Sequence, residues 1–566
     1  MFPVSSVNKD KIYSRKIRSK KISGGHKIIK EESIYEVIKV SPDQKKGMLI
    51  AAAALTACAL AACGGSGSSS DTKGGENTSK ETSAAETGGT QKDTLIVAKD
   101  EDVTSLDPQA IVNQKSFSVY CNLYEGLVTY DAETKEISPC LATEWEAIDD
   151  KTYHFKLREG VKFHDGNVMT SEDVCFSFER AMSSGVVSTY FNYLDSIEPD
   201  GDNAVIMHLK MPYAQLYQAL SNPSAVVVSK KAVEQYGDDF AKNPSGTGAY
   251  KLKEWKQADS ITLEAFEDYW GEKPVTPTVV YKVIPEGSQR TIMLENGEAD
   301  IAYAVLPNDA GRIEDSADLT MIHEPGYKCM LFYLKTDSKT SPVKDSKVRQ
   351  AIQYAVNKQE IADTVAYGYG QVGSLYCTPL TTGYNAEKDQ GDMYDVDKSK
   401  ALLAEAGYAD GFDLDFYCQT GQTYEEVATI LQAQLADVGI NLNVITMESN
   451  TINEKVYSGE EIPIRMGFYN NLCGDVDLVM QKLLPSAYGQ VYFNDEVEEL
   501  MNEARSKTDA AERQKVYDKF WDLMAEDVPW ITIYYEETMI GRSNKVDGFK
   551  LNPVGAHQLK TVAVYE

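Results

Sequence analysis

Strand and helix patterns alternate along residues 94–566 without an internal repeat. Alternating apolar side chains predict strands at Thr94–Lys99 and Thr152–Leu157, and apolar residues at helical spacing predict helices between such strands. Thr170-Ser171-Glu172-Asp173 resembles a capping box and predicts a helix that continues through Met182. A chain of 566 residues is too long for one hydrophobic core, so we expect two or more domains of the α/β class.

The same patterns predict further elements in the rest of this region. Additional strands are expected at Ala249–Glu254, Ile440–Ile445 and Trp530–Tyr535. Additional helices are expected at Ser116–Leu127, Val348–Val365, Glu425–Val438, Asp495–Arg505 and Asp509–Ala525.

The N-terminal region contains an apolar run at residues 48–62 that follows Lys45 and Lys46. It is shorter than the roughly 20 apolar residues of a membrane-spanning helix and fits the apolar part of a signal peptide. Leu60-Ala61-Ala62-Cys63-Gly64 ends the run and resembles a bacterial lipobox, which predicts lipidation of Cys63 and a leader at 1–62. The competing Cys58 lacks a leucine three residues before it. About 44 residues precede the basic pair, which favours a later translation start.

Residues 63–92 are dominated by Gly, Ser, Thr, Glu and Lys. A segment with so few apolar residues cannot bury a core, so it is expected to be a disordered tether. An anchor, a tether and a folded body, in that order, are typical of a cell-surface lipoprotein.

Charge is unevenly distributed along the chain. The formal net charge is −30, but residues 1–62 carry 12 basic and 5 acidic residues, so the remainder has a net charge of −37. So acidic a body argues against nucleic acid as a partner, because phosphate binding needs a basic face. An acidic surface that keeps the protein soluble is the simpler interpretation.

Residues typical of metal or catalytic sites form no recognised pattern. Seven cysteines follow Cys63 without CxxC spacing or histidine pairs of the zinc type, so no metal or cofactor is expected. The odd number leaves at least one thiol free or paired between chains. His164-Asp165-Gly166 is interpreted as a structural turn, and no G-x-S-x-G segment is present, so no enzymatic activity is expected.

Five segments resemble motifs of the family 5 extracellular solute-binding proteins, the dipeptide-, oligopeptide- and nickel-binding group. Residues 156–166 (KLREGVKFHDG) are similar to one family segment, and residues 243–250 (NPSGTGAY) are similar to another except at Ala249. The remaining three are 297–301 (GEADI), 348–358 (VRQAIQYAVNK) and 527–531 (DVPWI). They occur in family order, and the resemblance covers essentially residues 94–566.

The resemblance implies a two-lobed clamshell of the periplasmic-binding-protein type with a discontinuous first lobe. Lobe I would comprise 94–322 and 538–566, and lobe II would comprise 323–537. The function implied is capture of a peptide or related small polar solute by a monomer for an ABC permease and ATPase complex. Contact with the membrane would be through the lipid anchor only. Nickel is disfavoured as ligand because no histidine cluster is present.

Peptide-binding members hold the ligand's amino group with an aspartate that follows a strand of the second lobe. Here the matching stretch contains Tyr469, Asn470, Asn471 and Asp475, and Asn471 stands where that aspartate is expected. An amide cannot form the charge-assisted bond that a carboxylate makes with an ammonium group. Either Asp475 replaces the aspartate or it is a structural residue that starts the next helix, and a blocked peptide or another polar solute becomes an alternative ligand.

Position in the family's cleft implies further ligand contacts. They are Phe117 and Tyr120 in the first helix, and Tyr327, Lys328 and Met330 where the chain enters the second lobe. Lys328 is a candidate partner for a ligand carboxylate or, alternatively, an exposed strand lysine. The competing functions are a sensory or adhesive surface lipoprotein with the same fold, and a surface hydrolase, for which the sequence offers no catalytic constellation.

Overall fold

The computed structural model describes residues 89–131, 134, 136–484, 492 and 494–566. The predicted leader at 1–62, Cys63 and the tether as far as residue 88 therefore lie outside the described residues.

Nineteen strands occur in the described part of the chain. They are β1 Thr94–Lys99, β2 Val128–Tyr130, β3 Ile137–Pro139, β4 Ala142–Ala147, β5 Thr152–Leu157, β6 Leu194–Pro199, β7 Ala204–Leu209, β8 Tyr250–Lys256, β9 Ser260–Ala265, β10 Thr278–Val283, β11 Ile301–Tyr303, β12 Leu319–Leu334, β13 Gly370–Val372, β14 Phe412–Gln419, β15 Ile440–Met447, β16 Ile464–Asn470, β17 Trp530–Ser543, β18 Val546–Asp547 and β19 Ala563–Val564.

Fourteen α-helices lie between these strands in the same described ranges. They are α1 Gln114–Tyr120, α2 Ser171–Ser183, α3 Leu216–Ala219, α4 Lys230–Tyr236, α5 Gly287–Glu295, α6 Pro307–Glu314, α7 Ser346–Ala355, α8 Lys358–Ala366, α9 Val396–Glu405, α10 Gln422–Ala436, α11 Ser449–Tyr457, α12 Val476–Gln481, α13 Glu496–Arg505 and α14 Ala510–Asp527. The α/β prediction is confirmed.

One large sheet organises the molecule. Its strand order is β15-β14-β16-β12-β17-β11-β1-β10-β9-β8, and β13 also pairs with β17. The two long central strands, β12 and β17, run antiparallel to each other and connect the two halves of the sheet. We call the part built on β1 and β8–β11 the first lobe, and the part built on β13–β16 the second lobe. A four-stranded antiparallel sheet, β4-β5-β7-β6, has a separate core and extends the first lobe.

The two central strands change partners where they pass from one lobe to the other. Their pairing is regular from Leu319 to Pro325, shifts register, and resumes at Cys329. Beyond this shift, from Lys328 onward, β12 also pairs with β16. Strand β17 pairs with β11 through its residues 540–542. A register shift bends and twists paired strands, and we call this crossing of β12 and β17 the hinge. The predicted lobe boundaries, at 322/323 and 537/538, fall beside the crossing and stay a prediction.

Several predicted elements differ from the observed ones in instructive ways. The strand expected at Trp530–Tyr535 continues to Ser543, because β17 serves both lobes. The helical stripe from Val348 to Val365 is two helices, and the Asn357 side chain accepts a hydrogen bond from the Glu360 amide to cap the second.

Two further expectations differ from the structure, one at the first helix and one at the start of the described residues. The helix expected to reach Leu127 ends at Tyr120. Gln91 and Lys92, which the composition predicts to belong to the tether, pair with the C-terminal segment instead: the Lys92 amide donates to the Val564 carbonyl at 2.8 Å.

The cysteines in the described residues are all free thiols: Cys121, Cys140, Cys175, Cys329, Cys377, Cys418 and Cys473. Five of them are buried, in keeping with their expected role as small apolar side chains. Across the described ranges, no helix combines the length and the apolar character that crossing a membrane requires.

Candidate functional site

A cavity of about 410 Å³ lies at the crossing of β12 and β17. The first lobe contributes Lys115 and Arg290 to its wall, and the second lobe contributes Tyr424 and Phe468. Gly326, which lies in β12 where its pairing with β17 shifts register, also lines the cavity. The cavity is therefore a cleft at the hinge with a wall from each lobe, which is where ligand pockets of two-lobed proteins commonly lie.

Two of the predicted site residues, Tyr327 and Lys328, line this cleft. The Lys328 ammonium pairs with the Glu536 carboxylate and lies 4.0 Å from the centre of the Phe468 ring. Lys328 is thus neither a freely exposed strand lysine nor without a partner. It is a half-buried cation held in the cleft wall by a carboxylate and an aromatic face.

Three predicted contacts lie in hydrophobic cores and outside the cleft wall. Phe117 and Tyr120 are fully buried in the first lobe, and Met330 is fully buried in the second. Helix α1 presents a different face to the cleft, through Lys115 and Ser118. The seven-residue helix places residues 117 and 120 on the core side, which helical spacing alone could not reveal. This arrangement does not favour direct ligand contacts from Phe117, Tyr120 or Met330.

The loop at 471–475 follows β16 and leads into α12. The Asn471 amide nitrogen donates to the Asp475 carbonyl oxygen at 2.8 Å, which closes the loop. Asp475 is the N-cap of α12, and its Oδ1 accepts from the Asp477 amide at 2.9 Å and from the Tyr517 hydroxyl at 2.6 Å. The prediction that Asp475 starts the next helix is confirmed. Its role as a ligand contact stays a prediction.

Buried oxygens without a hydrogen-bond partner gather at this loop. Within the described ranges they include the hydroxyls of Tyr327 and Tyr469, Oδ1 of Asn470 and Asn471, and Oδ2 of Asp475. A buried polar group left unpaired costs roughly 1–3 kcal/mol, and most buried groups in folded proteins do have partners. Of these residues, Tyr327 lines the cleft, whereas Asp475 lines a separate small cavity that it shares with Gln215, Gln218 and Cys473.

Tyr327 connects the loop with the cleft. Tyr327 lines the cleft, and its hydroxyl lies so close to Gly474 that a Cβ there would approach it to 2.7 Å. Gly474 also has a φ of +61°, which residues with side chains rarely adopt. Tyr327 therefore adjoins both the cleft and the loop, and the glycine allows its hydroxyl to approach the loop.

Burial raises the pKa of Asp475 from 3.8 to about 6. Three groups partly offset this effect: the Arg513 charge, the Asp477 amide and the Tyr517 hydroxyl. The carboxyl is therefore half ionised near pH 6 and gains most from a cation placed against its unpaired Oδ2.

The first lobe reaches this loop through the segment around α3. The Gln215 side-chain amide donates to the Tyr517 hydroxyl at 2.7 Å, which in turn donates to Asp475. The Gln218 amide donates to the Gly474 carbonyl at 2.8 Å. A chain of hydrogen bonds thus runs from the first lobe to the carboxylate of the second.

A buried ion pair braces the same region. Arg505 donates from Nε to Asp477 Oδ1 at 2.6 Å and from Nη2 to Oδ2 at 2.9 Å, and the Tyr213 hydroxyl of the first lobe lies 3.3 Å from the same carboxylate. Such a bidentate pair fixes the start of α12, and with it the Asp475 side chain.

The interpretation of His164-Asp165-Gly166 as a structural turn is confirmed. The His164 ring lies between the Gly248 carbonyl at 3.0 Å and the Gly246 amide at 3.4 Å. Burial lowers its pKa to about 4, so the ring is neutral. Asp165 accepts from the Asn167 amide at 2.9 Å.

Sequence reasoning missed several cleft residues. Lys115, Arg290, Tyr424 and Glu536 line the cleft, but none of them stands in a motif or breaks the apolar periodicity of its element. Only their convergence in the fold identifies them. In the part of the chain that the structure describes, no group of three His, Cys, Asp or Glu side chains could hold a metal ion.

The family model of the bacterial extracellular solute-binding proteins, family 5 (middle region), matches residues 136–488. The chain belongs to this family. The resemblance drawn from the five sequence segments is thereby confirmed, and so is the two-lobed α/β architecture that it implies.

The matches to individual relatives cover most of this chain and nearly the whole length of each relative. The dipeptide-binding protein of Escherichia coli K12 is 29% identical over 516 residues, which cover 84% of this chain and 95% of the relative. The glutathione-binding protein GsiB of Pectobacterium atrosepticum is 29% identical over 477 residues, which cover 81% and 91%.

Among solved structures, the Helicobacter pylori ABC transporter-associated periplasmic binding protein DppA, in complex with the peptide STSA, superimposes with a TM-score of 0.75. It is 26% identical, and the match covers 84% of this chain and 98% of that one. All three relatives are named as binding proteins and not as enzymes.

Proposed function

We propose that this protein is a lipid-anchored extracellular receptor that captures a peptide or a related small polar solute and delivers it to an ABC importer. The observation that carries the proposal is the hinge cleft of about 410 Å³, which is walled by both lobes and lined by Tyr327, whose buried hydroxyl lacks a hydrogen-bond partner among the described residues. A cavity of this size and polarity suits a solute of a few residues and not a macromolecule.

The ligand's amino group is assigned to Asp475. Its Oδ2 is buried and without a hydrogen-bond partner in the described structure, and it lies in the loop that Tyr327 joins to the cleft. A carboxylate in such surroundings forms a strong charge-assisted bond with an ammonium group. Asn471, at the family's aspartate position, holds the loop closed through its amide and leaves its own oxygen to accept from the ligand.

Capture proceeds by binding alone. A ligand that touches Asp475 and the first-lobe wall together favours the arrangement in which Gln215 and Gln218 reach the second lobe. That arrangement would be the one that the permease recognises. The lipid at Cys63 would keep the receptor beside the permease and its ATPase.

Thermal unfolding of the purified protein, refolded to remove any ligand, tests the proposal. A solute that binds only the folded state raises the melting temperature. The panel contains free dipeptides to pentapeptides, their N-acetylated forms, nickel chelates and oligosaccharides. We expect free peptides to raise the melting temperature most. Stabilisation by another class alone would overturn the peptide assignment, and stabilisation by none would overturn solute capture.

The anchor is tested separately in cells of the host bacterium. The protein with Cys63 intact is expected in the membrane fraction, and Cys63→Ser is expected in the soluble fraction. Cys58→Ser is the matched control and should remain with the membrane. Membrane association of the Cys63 variant would refute lipidation at this residue.

A further inference from the structure

One segment of the second lobe lacks the charge that marks the rest of the chain. Residues 427–447, which include most of α10 and the whole of β15, contain a single charged residue, Asp437. A quarter of the residues in the chain are charged, so a segment of this length would ordinarily hold about five. The body as a whole has a net charge of −37. A neutral stretch in so acidic a protein needs a physical reason.

Burial supplies only part of that reason, because many of the neutral residues are exposed. Charged side chains normally occupy exposed positions. Here the exposed positions on α10 and β15 hold only amide, hydroxyl and methyl groups, at Gln432, Ala433, Ala436, Asn441, Asn443 and Thr446. We call these six residues, together with the outer side of β15, the neutral edge.

Strand β15 lies at one end of the large sheet, and among the described strands it pairs only with β14. The amides of Phe412 and Thr420 donate to the carbonyls of Gly439 and Met447 at 3.2 and 3.1 Å, so odd-numbered residues of β15 turn their backbone groups towards β14. Backbone groups alternate in direction along a strand. The amides and carbonyls of the even-numbered residues therefore face away from the sheet.

These outward groups are largely unused in the described part of the chain. The Gln432 side-chain amide donates to the Leu442 carbonyl at 2.7 Å, which confirms that this carbonyl faces outward. The backbone groups of Val444 and Thr446 remain available to another strand. A row of such groups at the edge of a sheet is a template for pairing with a second chain.

The opposite end of the sheet is protected against such pairing. Strand β8 carries Lys251, Lys253, Glu254 and Lys256, and its pairing with β9 shifts register between Leu252 and Glu254. Charges and bulges are two devices by which proteins block an exposed edge. Strand β15 has neither a charged residue nor a register shift against β14. This contrast indicates that the β15 edge is open to a partner strand.

Two carboxylates of β14 lie one strand back from this edge. The side-chain amides of Asn441 and Asn443 donate to Asp413 and Asp415 at 3.0 and 2.8 Å. The asparagines therefore stand between the carboxylates and the edge. A second strand arriving at β15 would meet neutral side chains first.

A second copy of this chain suits the edge in charge and in geometry. Two bodies of net charge −37 can approach at a neutral surface without adding like charges at the contact. Antiparallel pairing about Val444 would place Val444 opposite its own copy and Leu442 opposite Thr446, so that outward amides meet outward carbonyls. Because the β8 edge is blocked, pairing would stop at two copies.

We propose that the neutral edge is an interface between two copies of the chain, joined by antiparallel pairing of β15 about a twofold axis at Val444. The two α10 helices, which pack on the same face of the sheet, would then lie beside each other. Strands β14 and β16 separate β15 from β12, so the interface leaves the hinge cleft open. The inference is independent of which solute is captured, and it departs from the monomer that the family resemblance implies.

Sedimentation velocity of the purified protein from about 1 to about 100 µM tests the inference. The average mass is expected to rise from that of one chain towards twice that mass. Because both bodies are strongly negative, the dimer should strengthen about threefold or more when NaCl is raised from about 0.02 to about 0.5 M. The mass of one chain at every concentration and salt would overturn the inference and leave the proposed solute capture unaffected.

Two variants locate the interface. Val444→Pro removes an outward amide and no hydrogen bond of the sheet itself, and Thr446→Lys gives this edge a charge like those of β8. Each should raise the dissociation constant of the dimer about tenfold or more while the melting temperature changes little. Thr129→Lys is the matched control, because Thr129 is an exposed strand threonine of the first lobe. If Val444→Pro unfolds, Thr446→Lys decides; a dimer as strong as that of the control would exclude this edge.

Cross-linking tests the position of the twofold axis. Directly opposed residues whose backbone groups bond each other have Cα atoms about 5.5 Å apart, within the range of about 4.4–6.8 Å that a disulfide spans. Val444→Cys treated with diamide, which takes up the two electrons and two protons of the thiols, should give a covalent dimer. Thr129→Cys is the control, and the unaltered protein gives the background from its own thiols. A dimer without a cross-link above this background would overturn pairing at Val444.

Discussion

Glu125 and Asp475 are two buried carboxylates in different lobes, and their surroundings differ in one respect. Both oxygens of Glu125 have partners: the Tyr269 hydroxyl at 2.7 Å, the Trp270 indole at 2.7 Å and the Thr247 hydroxyl at 2.9 Å. Asp475 has partners for Oδ1 only, and its buried Oδ2 has none in the described residues. Burial raises the pKa of both.

The comparison separates a structural carboxylate from the one that we propose as a ligand contact. Where every acceptor is satisfied, a ligand has nothing to add, and the group stabilises the turn and aromatic side chains around it. Where one buried acceptor has no hydrogen-bond partner, the unpaired group lowers the stability of the fold. A ligand that donates a hydrogen bond to it can offset this loss. Burial and pKa direction alone would not distinguish the two.

The largest effect is expected at the structural carboxylate. Glu125→Ala removes three hydrogen bonds and leaves buried donors on Tyr269 and Trp270, so the free energy of unfolding should fall by about 3–5 kcal/mol. Chemical denaturation measures this change. The exposed Glu254→Ala is the control and should alter stability by no more than about 0.5 kcal/mol. A loss below about 1 kcal/mol for Glu125→Ala would remove the basis of the comparison.

At Asp475, the proposed ligand contact, the effect is expected on affinity instead. Asp475→Asn keeps the helix cap but removes the charge, so binding of a free-amine peptide should weaken roughly 10- to 100-fold while the melting temperature changes little. Asp395→Asn is the control, because Asp395 is also an N-cap aspartate that accepts from a backbone amide. Unchanged calorimetric affinity in Asp475→Asn would exclude Asp475 as the amine contact.

The pH dependence sharpens the same assignment. Because the native pKa of Asp475 is raised from 3.8 to about 6, its contribution to stability is present below pH 3.8 and is lost as the pH rises through 6. Affinity for an ammonium ligand runs the other way, since the carboxylate must be ionised, and should rise about tenfold between pH 5 and 7. Asp475→Asn should abolish both trends in titrations compared with the unaltered protein.

The smallest effect is expected at the link between the lobes. Tyr517→Phe removes the hydroxyl that accepts from Gln215 and donates to Asp475, so peptide affinity should fall about threefold and stability by about 1 kcal/mol. Tyr236→Phe is the control, because Tyr236 is exposed in α4 of the first lobe. An affinity equal to that of the control would show that this link has no part in capture.

Much of the fold could be predicted from local patterns. Thr94–Lys99 and Thr152–Leu157 are strands with the expected bounds, and the Thr170–Asp173 capping box opens α2. These features depend on neighbours in the chain, so periodicity and cap chemistry suffice. The length of β17 could not be predicted in the same way, because its second half is fixed by pairing with β11 and β12, which lie more than 200 residues away in the chain.

The same distinction between local sequence and long-range contacts applies to the candidate site. The fold class, the family and the loop that contains Asn471 and Asp475 could be recognised from the amino-acid sequence, because each depends on short contiguous segments. The unpaired oxygen of Asp475 and the proximity of Lys99, Lys115, Arg290 and Lys328 in the cleft wall become visible only in the folded protein. Hydrogen-bond satisfaction and charge repulsion depend on distances between residues far apart in the chain, and only the folded arrangement of two lobes around crossing strands sets those distances.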